Sequence, residues 1–314
     1  MPMKTIFLDK LTGRPVPCAA TIGFFDGVHL GHQYLIGKLV AEAHARKLEA
    51  TIITFDCHPR QVLDYDYRPL LLNTLEEKLS LLASTRVDNC VVLSFNSDMA
   101  SLSAHDFMAN VLKDKLNVRM LAMGYDNRFG HNSNESFEDN VAYGNDLGIE
   151  VVRNDAYSID AAHVNVSSSV VRSLLEGGEV AMAAHCLSYP YMLTGEVVHG
   201  NNIGTGMGFP TANVRLLDYL KLVPAPGVYA VKVRLLDDSS LWNGMMNIGC
   251  RPTFDGKNTS LEVHLFDYHG DLYGRQITVF FVSRLRNERK FRNAGELTNQ
   301  LNKDRDEAIQ ILGR

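Results

Sequence analysis

The order of secondary-structure patterns along the chain constrains its fold more than any other feature of the sequence. In the first half, short β-rich runs such as 19–24 alternate with amphipathic helical stretches such as 32–48. This alternation predicts right-handed βαβ crossovers and a doubly wound parallel sheet. In the second half, strands with a period of two residues precede a single helix, predicted at 294–312. We therefore predict an α/β N-terminal domain followed by a small C-terminal β-barrel with a terminal helix.

The predicted segments also locate the boundary between the two domains. Further strands of the first half are predicted at 51–55, 89–95 and 119–123, and its later helices at 103–116, 168–176 and 179–187. Thr74 and Glu77 have the spacing of a capping box, which predicts the start of another helix there. Strands of the second half are predicted at 228–236, 260–266 and 277–282. Because the last helix of the first half runs into Tyr189-Pro190, we assign residues 1–186 and 187–314 to the two domains.

Composition and charge exclude several classes of protein. The five cysteines are scattered without a CxxC pair, which is typical of a reducing compartment and gives neither a disulfide framework nor a structural zinc site. A formal net charge of −5 argues against nucleic-acid binding. The N-terminus has no signal-peptide pattern and no uncharged stretch could span a bilayer, so we expect a cytoplasmic protein without membrane attachment. The basic run 284–292 is interpreted as a solvated face, with contact to anionic phosphates as the alternative.

The stretch GFFDGVHLGH at 23–32 joins a buried strand to a helix and predicts a phosphate site. Its three glycines allow tight turning, and the helix N-terminus offers free N–H groups and the positive end of the helix dipole. His29 and His32 are three residues apart, so both imidazoles can face one ligand and donate to phosphate oxygens. The alternatives are an ordinary βα loop and a metal site, but no third ligand with suitable spacing is evident for a metal.

The stretch GEVVHGNNIGTGMGFPTAN at 195–213 is the most specific string in the chain. Its closely spaced glycines can cover phosphates with backbone N–H groups, yet it matches neither the P-loop nor the protein-kinase glycine loop. Thr211 and Asn213 lie on one face of an extended chain, where a hydroxyl and an amide oxygen could help to hold Mg²⁺ on ATP.

These strings resemble known enzymes. HxGH is similar to the signature of the nucleotidyltransferase superfamily, and GFFDGVHLGH resembles the version found in prokaryotic bifunctional FAD synthetases. Segments 54–59 (TFDCHP), 124–130 (GYDNRFG) and 166–172 (VSSSVVR) agree with that family as well. The resemblance implies an HxGH-type adenylyltransferase domain in which His29 and His32 are catalytic. It places ATP at Gly23, Phe24, Asp26, Gly31, Ser168, Ser169 and Arg172, and FMN at Asp56, His58, Pro59, Asp126 and Arg128. The family often has a basic residue soon after the Phe-Gly pair, whereas residues 131–135 (HNSNE) follow it here, which leaves the phosphate contacts of this segment open.

The GFPTAN string closely resembles the riboflavin kinase signature. That resemblance implies Mg-ATP at Gly204, Gly206, Gly208, Thr211 and Asn213, with Thr211 and Asn213 as the metal ligands. It implies flavin contacts at Tyr229, Asn247 and Arg251, and it makes Glu262 the general base. The period of two residues places Leu261, Val263 and Leu265 on one face of the strand, opposite Glu262 and His264. Thr205 stands where the family usually has a cation, which we expect either to weaken ATP binding or to be offset by the basic run.

The resemblance implies two reactions. Riboflavin and ATP give FMN and ADP in the C-terminal domain, and FMN and ATP give FAD and pyrophosphate in the N-terminal domain, with Mg²⁺ as cofactor. The expected partners are these small molecules, and a weak homo-oligomer stays open. An FMN adenylyltransferase with a weakened kinase domain is the main alternative. A different HxGH transferase would not explain GFPTAN, and a flavin sensor would not need His29, His32 and Glu262.

Overall fold

The computed structural model describes residues 2–124, 135–154, 158–159, 164–199, 208–236, 238, 240–253 and 256–313, without the side chains of 158, 159, 164, 165, 250–253 and 256–258. The chain forms two compact units, Met1–Ser168 and Ser169–Arg314. No helix among these residues is long and apolar enough to cross a membrane.

The first unit is built on a six-stranded parallel sheet. Its strands are β1 (Lys4–Phe7), β2 (Cys18–Ile22), β3 (Glu49–Phe55), β4 (Asn89–Leu93), β5 (Val118–Gly124) and β6 (Glu150–Asn154). They lie in the order β1-β4-β3-β2-β5-β6, and every neighbouring pair is parallel. Consecutive residues of β2 enter different hydrophobic clusters, Ala19 one and Ala20 the other, because successive side chains of a strand point to opposite faces. The doubly wound sheet predicted from the sequence is confirmed.

Helices flank this sheet on both faces. They are α1 (Leu30–Ala45), α2 (Pro59–Leu63), α3 (Leu75–Ala83), α4 (Ser97–Ser101), α5 (Ala104–Phe107) and α6 (Phe137–Leu147). The predicted capping box at Thr74 and Glu77 is present at the start of α3. The helix predicted at 103–116 is also present, but Met108–Lys115 continues α5 with π-helical hydrogen bonds. A short antiparallel pair, β7 (Ser158–Ile159) and β8 (Val164–Asn165), completes the described strands of this unit.

The strand order places a crevice at the carboxyl ends of β2 and β5. β2 connects to β3 on one side of the sheet and β5 connects to β6 on the other side, so the neighbouring strands β2 and β5 form the topological switch point. Ligands of open α/β sheets bind outside the carboxyl ends of the strands at such a point. The GFFDGVHLGH loop follows β2 and the 124–130 loop follows β5, so both predicted ligand segments begin at this crevice.

The second unit is a closed barrel of six antiparallel strands. They are β9 (Met192–Val198), β10 (Ala212–Leu216), β11 (Gly227–Leu235), β12 (Leu241–Thr253), β13 (Gly256–Leu265) and β14 (Gln276–Arg286), closed in the order β10-β13-β12-β11-β14-β9. Helix α7 (Ser168–Gly177) enters this unit, and α8 (Val180–Leu187) packs against β14. Helix α9 (Ala294–Leu312) lies on the outside of the barrel, where Ala308 and Leu312 pack with Ala230 and Met245. The predicted barrel with its terminal helix is confirmed.

Candidate active sites

The loop between β2 and α1 is held in a strained conformation. Phe25, Gly27 and Val28 have φ values of 53°, 84° and 38°. Residues other than glycine persist there only when their surroundings fix them. Asp26 supplies part of that support, because its buried carboxylate accepts hydrogen bonds from the backbone N–H groups of Leu72 at 2.9 Å and Asn73 at 3.2 Å. The carboxylate of Asp26 therefore shapes the loop that a ligand would meet.

The two histidines of the loop lie together, as their spacing predicts. His29 is the N-cap of α1, and its Nδ1 accepts a hydrogen bond from the backbone N–H of His32 at 3.4 Å. The imidazole rings stack with centroids 3.7 Å apart. Gly31 permits this approach, since a Cβ atom there would lie 3.1 Å from the His29 ring and 3.2 Å from the Val166 carbonyl oxygen.

Burial controls the charge of this pair. Desolvation, together with the nearby His29 and Lys78, lowers the pKa of His32 well below its ordinary value. The imidazole of His32 is therefore neutral at pH 7 in the ligand-free protein. An anionic phosphate beside the ring would favour the imidazolium form, so ligand binding and protonation are linked at His32.

The TFDCHP segment brings flavin-side residues to the same edge of the sheet. Asp56 Oδ1 accepts hydrogen bonds from the backbone N–H groups of Cys57 at 2.8 Å and Phe95 at 3.1 Å. His58 caps α2, in which Pro59 is the first residue. The ring of His58 meets the ring of Phe24 edge-on with centroids 4.9 Å apart. The structure therefore brings the predicted FMN-side segment into contact with the predicted phosphate loop.

The other predicted residues of this site are placed only in part. Ser168 Oγ donates to the backbone carbonyl of Asp26 at 2.8 Å, so this serine supports the loop. Ser169 and Arg172 belong to the second unit, and Asp126 and Arg128 lie outside the described residues. In the first unit, Gly31 therefore lies against His29, while Asp26 and Ser168 support the loop, which also contains Gly23 and Phe24.

Lys78 is a buried residue of this region that the sequence analysis missed. It projects from α3, is only 3 % exposed, and donates to the carbonyl oxygens of Phe24 at 3.2 Å and Phe55 at 2.9 Å. Desolvation lowers the pKa of its ammonium group to about 8. A signal existed in the sequence, because Lys78 shares one face of an amphipathic helix with Leu75 and Leu82, and an apolar face of this kind is expected to pack against the core.

In the second unit, strand pairing assembles a row of polar side chains. Glu262 on β13 lies directly opposite Asn213 on β10 and opposite Asn247 on β12. Asn247 in turn pairs with Val228, and Val228 with Arg286 on β14. Because directly paired residues of antiparallel strands project to the same face, one row of side chains crosses five strands of the barrel.

This row lies beside a cavity of about 260 Å³ between the barrel and α9. Thr211, Asn247, Glu262 and Arg286 line it together with residues that precede or belong to α9, including Arg289, Phe291 and Leu297. Leu261, Val263 and Leu265 point into the barrel, whereas Glu262 and His264 are only half-buried, which confirms the predicted alternation. The predicted base therefore lies in an apolar cavity with a few convergent polar groups, the usual form of a small-molecule site.

The other predicted residues of the barrel are not part of the described cavity lining, and Asn213 is one of them although it lies opposite Glu262. Tyr229 is fully buried inside the barrel, and its hydroxyl donates to the carbonyl of Ala225. Gly208 has a φ of 79° at the end of the glycine loop, whereas Gly204, Thr205 and Gly206 lie outside the described residues, as does the side chain of Arg251.

The basic run divides into separate roles. Arg284 donates to the carbonyls of Gly177 at 3.1 Å and Pro226 at 2.6 Å. Arg286 forms a bidentate pair with Asp304 of α9, which is 1 % exposed, at 2.8–3.0 Å. Arg286 and Arg289 both line the cavity, and contact of these two residues with anionic phosphates stays a prediction.

Comparisons with known proteins match both units. A family model described as FAD synthetase matches residues 12–170, and one described as riboflavin kinase matches residues 187–312. Proteins named bifunctional riboflavin kinase/FMN adenylyltransferase are similar over almost their whole length. Those of Haemophilus influenzae (37% identical; 91% of this chain, 92% of the relative), Escherichia coli K12 (38%; 94% and 93%) and Bacillus subtilis (36%; 99% and 98%) are examples.

A solved structure from Streptococcus pneumoniae has the same fold throughout. Its TM-score is 0.88 at 31% identity, and the alignment covers 98% of this chain and 99% of that one. Its title names a macrolide-efflux protein. The arrangement of a parallel sheet followed by a closed barrel is therefore shared over the full length of both chains.

Proposed function

This chain belongs to the family of bifunctional riboflavin kinases/FMN adenylyltransferases, and we propose on that premise which residues perform each reaction. The chain phosphorylates riboflavin to FMN with ATP and transfers an adenylyl group from a second ATP to FMN, which gives FAD and pyrophosphate. We assign adenylyl transfer to residues 1–186 and phosphorylation to 187–314. The name of the streptococcal structure points to efflux, but both family models name flavin-nucleotide enzymes and cover most of the chain.

The row Asn213–Glu262–Asn247 is the observation that best supports the kinase assignment. Glu262 is a carboxylate at the wall of a cavity that could take the flavin. It accepts the proton of the terminal ribityl hydroxyl while that oxygen forms a bond to the γ-phosphorus of ATP and the bond to ADP breaks. General base catalysis of this kind contributes about 10²–10⁴ in rate. Asn247 and Arg286 orient the flavin in the cavity, with Arg251 as a further contact, and Tyr229 supports the barrel wall from inside.

Thr211 and Asn213 suit a magnesium ion held mainly by nucleotide phosphates. Both are oxygen donors on one face of the strand beside Glu262, and Mg²⁺ bound with phosphates needs only one or two protein ligands. Thr211 and Asn213 would hold such an ion where it would neutralise charge on the transferred phosphoryl group and on ADP. Gly204, Gly206 and Gly208 stay predicted as the residues whose backbone N–H groups would cover the phosphates.

Adenylyl transfer requires no nucleophile from the protein, because a phosphate oxygen of FMN attacks the α-phosphorus of ATP directly. The bond from that phosphorus to the oxygen of the departing pyrophosphate breaks in the same displacement. His29, His32 and the N-terminus of α1 stabilise the charge on pyrophosphate, while Ser168, Ser169 and Arg172 hold ATP. Gly23, Phe24, Asp26 and Gly31 shape the ATP side. Asp56, His58, Pro59, Asp126 and Arg128 form the FMN side.

The assignment is tested by separating the two reactions in full-length variants. With riboflavin and Mg-ATP, the wild type should form FMN and then FAD. Glu262→Gln should lower the rate of riboflavin phosphorylation at least 100-fold and leave the conversion of added FMN to FAD unchanged. His29→Asn should do the reverse. A wild type that converts FMN but not riboflavin would establish the alternative of a weakened kinase, and a wild type with neither activity would refute the proposed function.

A further inference from the structure

Lys78 carries a buried charge that the two reactions described above do not use. Its side chain, on α3 of the first unit, is only 3 % exposed. None of the described carboxylates forms an ion pair with it, although Asp26 and Asp56 influence it from a distance. A lone buried ammonium group is costly, and Lys and Glu are almost never fully buried unless paired. The presence of an ammonium group without a described ion-pair partner at this buried position therefore points to a specific role for Lys78.

The contacts of Lys78 join two segments of chain that are far apart in sequence. Its Nζ donates to the carbonyl of Phe24, in the loop after β2, and to the carbonyl of Phe55, the last residue of β3. The ammonium also lies 4.1 Å from the centroid of the Phe24 ring, which is a cation–π contact. The hydroxyl of Thr54 donates a hydrogen bond to the same carbonyl oxygen of Phe24 at 3.2 Å.

Both segments lead directly into the predicted substrate residues. Phe24 precedes the three left-handed or strained residues 25, 27 and 28 that place His29 over the start of α1. Phe55 precedes Asp56 and His58, and the His58 ring also contacts the ring of Phe24, with centroids 4.9 Å apart. A change in the separation of these two strand ends would therefore move the phosphate side and the flavin side of the site relative to each other.

We propose that Lys78 is a positioning residue for adenylyl transfer, whose ammonium group fixes the loop that carries His29 and His32 against the loop that carries Asp56 and His58. The proposal rests on the assignment of FMN adenylylation to this unit. Lys78 acts through backbone carbonyls and not on the reacting atoms. Its charge also contributes to keeping His32 neutral until phosphate arrives, because the two groups repel each other electrostatically.

The proposal predicts a specific pH dependence. The titratable groups that face Lys78 are Asp26, Asp56, Cys57, Cys90 and His32. Burial raises the pKa of the two thiols to about 11 and about 12, and the pKa of His32 is lowered well below neutrality. The second pKa of a phosphate monoester is about 6. A loss of activity near pH 8 therefore reports the deprotonation of Lys78, whose pKa is about 8.

The experiment compares full-length wild type with Lys78→Met, which keeps the apolar stem and removes the ammonium group. FAD formation from FMN is followed from pH 6.5 to 9.5. Riboflavin phosphorylation in the same samples controls for the second unit, and urea unfolding of the variant checks that the first unit is folded. We expect kcat/KM for adenylylation to fall about 10–100-fold at pH 7, since small misplacements of reacting groups have effects of this size. The wild-type value should decline above pH 8, whereas that of the variant should not.

Lys38→Met is the matched control, because Lys38 lies 4.7 Å over the ring of Tyr34 in the same unit and should leave both activities unchanged. An unaltered adenylylation rate in Lys78→Met would overturn the proposal. So would a wild-type kcat/KM that stays constant between pH 7 and 9.5, a result that needs no variant. A wild type that makes no FAD at any pH would instead refute the proposed function.

Discussion

At residue 31 the first turn of α1 is packed so closely that a methyl group would meet two neighbours. The Cβ of an alanine would lie 3.1 Å from the imidazole of His29 and 3.2 Å from the carbonyl oxygen of Val166. We expect Gly31→Ala to displace the His29 ring and lower kcat/KM for FAD formation at least tenfold. Crowding of this kind costs about 1–3 kcal/mol, and the higher helix propensity of alanine offsets about 1 kcal/mol of it. Steady-state assays and chemical unfolding measure the two effects.

Gly37 provides the control for this substitution, because it lies in the same helix with open space at its Cβ position. Gly37→Ala should raise the free energy of unfolding by up to about 1 kcal/mol and leave both activities unchanged. Equal activity of the two alanine variants would show that the close approach of Gly31 to His29 has no part in catalysis.

The buried ammonium group of Lys78 also affects stability. Its pKa falls from 10.5 in an exposed lysine to about 8 in the folded chain. Between these two pH values the unfolded chain binds more protons than the folded one, so stability rises with pH in that window. We expect wild type to gain up to about 3 kcal/mol relative to Lys78→Met between pH 7 and pH 10.5. Urea unfolding at several pH values measures the difference in free energy of unfolding between wild type and Lys78→Met. A difference that does not change with pH would show that burial does not lower the pKa of Lys78.

At the scale of elements, helix α9 is joined to the barrel by the pair of Arg286 and Asp304. Asp304 is 1 % exposed and accepts from Arg286 through both oxygens, and Gln300 donates to it at 2.7 Å. Asp304→Asn would leave the guanidinium without a countercharge, and breaking a buried pair in this way costs about 3–5 kcal/mol. Because Arg286 and α9 line the cavity, KM for riboflavin should rise at least tenfold, while FAD formation from FMN stays unchanged.

Asp306 lies two residues further along the same helix and forms an exposed pair with Arg305. Asp306→Asn should therefore change the free energy of unfolding by less than about 1 kcal/mol and leave KM for riboflavin unaltered. If Asp304→Asn behaves like this control in thermal unfolding and in the kinase assay, the pair does not hold α9 at the cavity.

The sequence predicts a helix or strand well when the pattern within that segment determines its structure, and poorly when contacts with distant segments determine it. Strands with a clean period of two, such as β11 and β13, are found close to their predicted positions. Strand β12 escaped prediction because Gly244 and Gly249 interrupt its pattern, and its place is fixed by two partners that are distant in sequence. Helix α6 and strand β6 were likewise missed in the chain between 135 and 154.

The sites show the same dependence. The stacked pair of His29 and His32 follows from a spacing of three residues at a helix start, so the sequence predicts it directly. The row that surrounds Glu262 depends on strand register, which no single segment contains. Tyr229 shows where a motif is insufficient. The resemblance implies a flavin contact for it, but its side chain is buried inside the barrel and does not line the cavity.

At the scale of the whole molecule, the product of one reaction is the substrate of the other, and we assign the two reactions to separate domains, 1–186 and 187–314. We expect FMN to leave the kinase site and rebind from solution, since the two reactions are assigned to different domains. A mixture of full-length Glu262→Gln and His29→Asn, each inactive in one reaction, should then convert riboflavin to FAD. Free FMN should accumulate before FAD in the mixture and in wild type alike, as separation of the flavins over time would show.

Direct transfer within one chain would give a different time course. The mixture would accumulate FMN and form FAD slowly, whereas wild type would form FAD without a lag. A second experiment starts from labelled riboflavin and adds unlabelled FMN. The added FMN lowers the label content of FAD only when the FMN intermediate passes through solution. Undiluted label in the FAD made by wild type would refute release and rebinding, and dilution in proportion to the added FMN would establish that the two sites are coupled only through the free concentration of FMN.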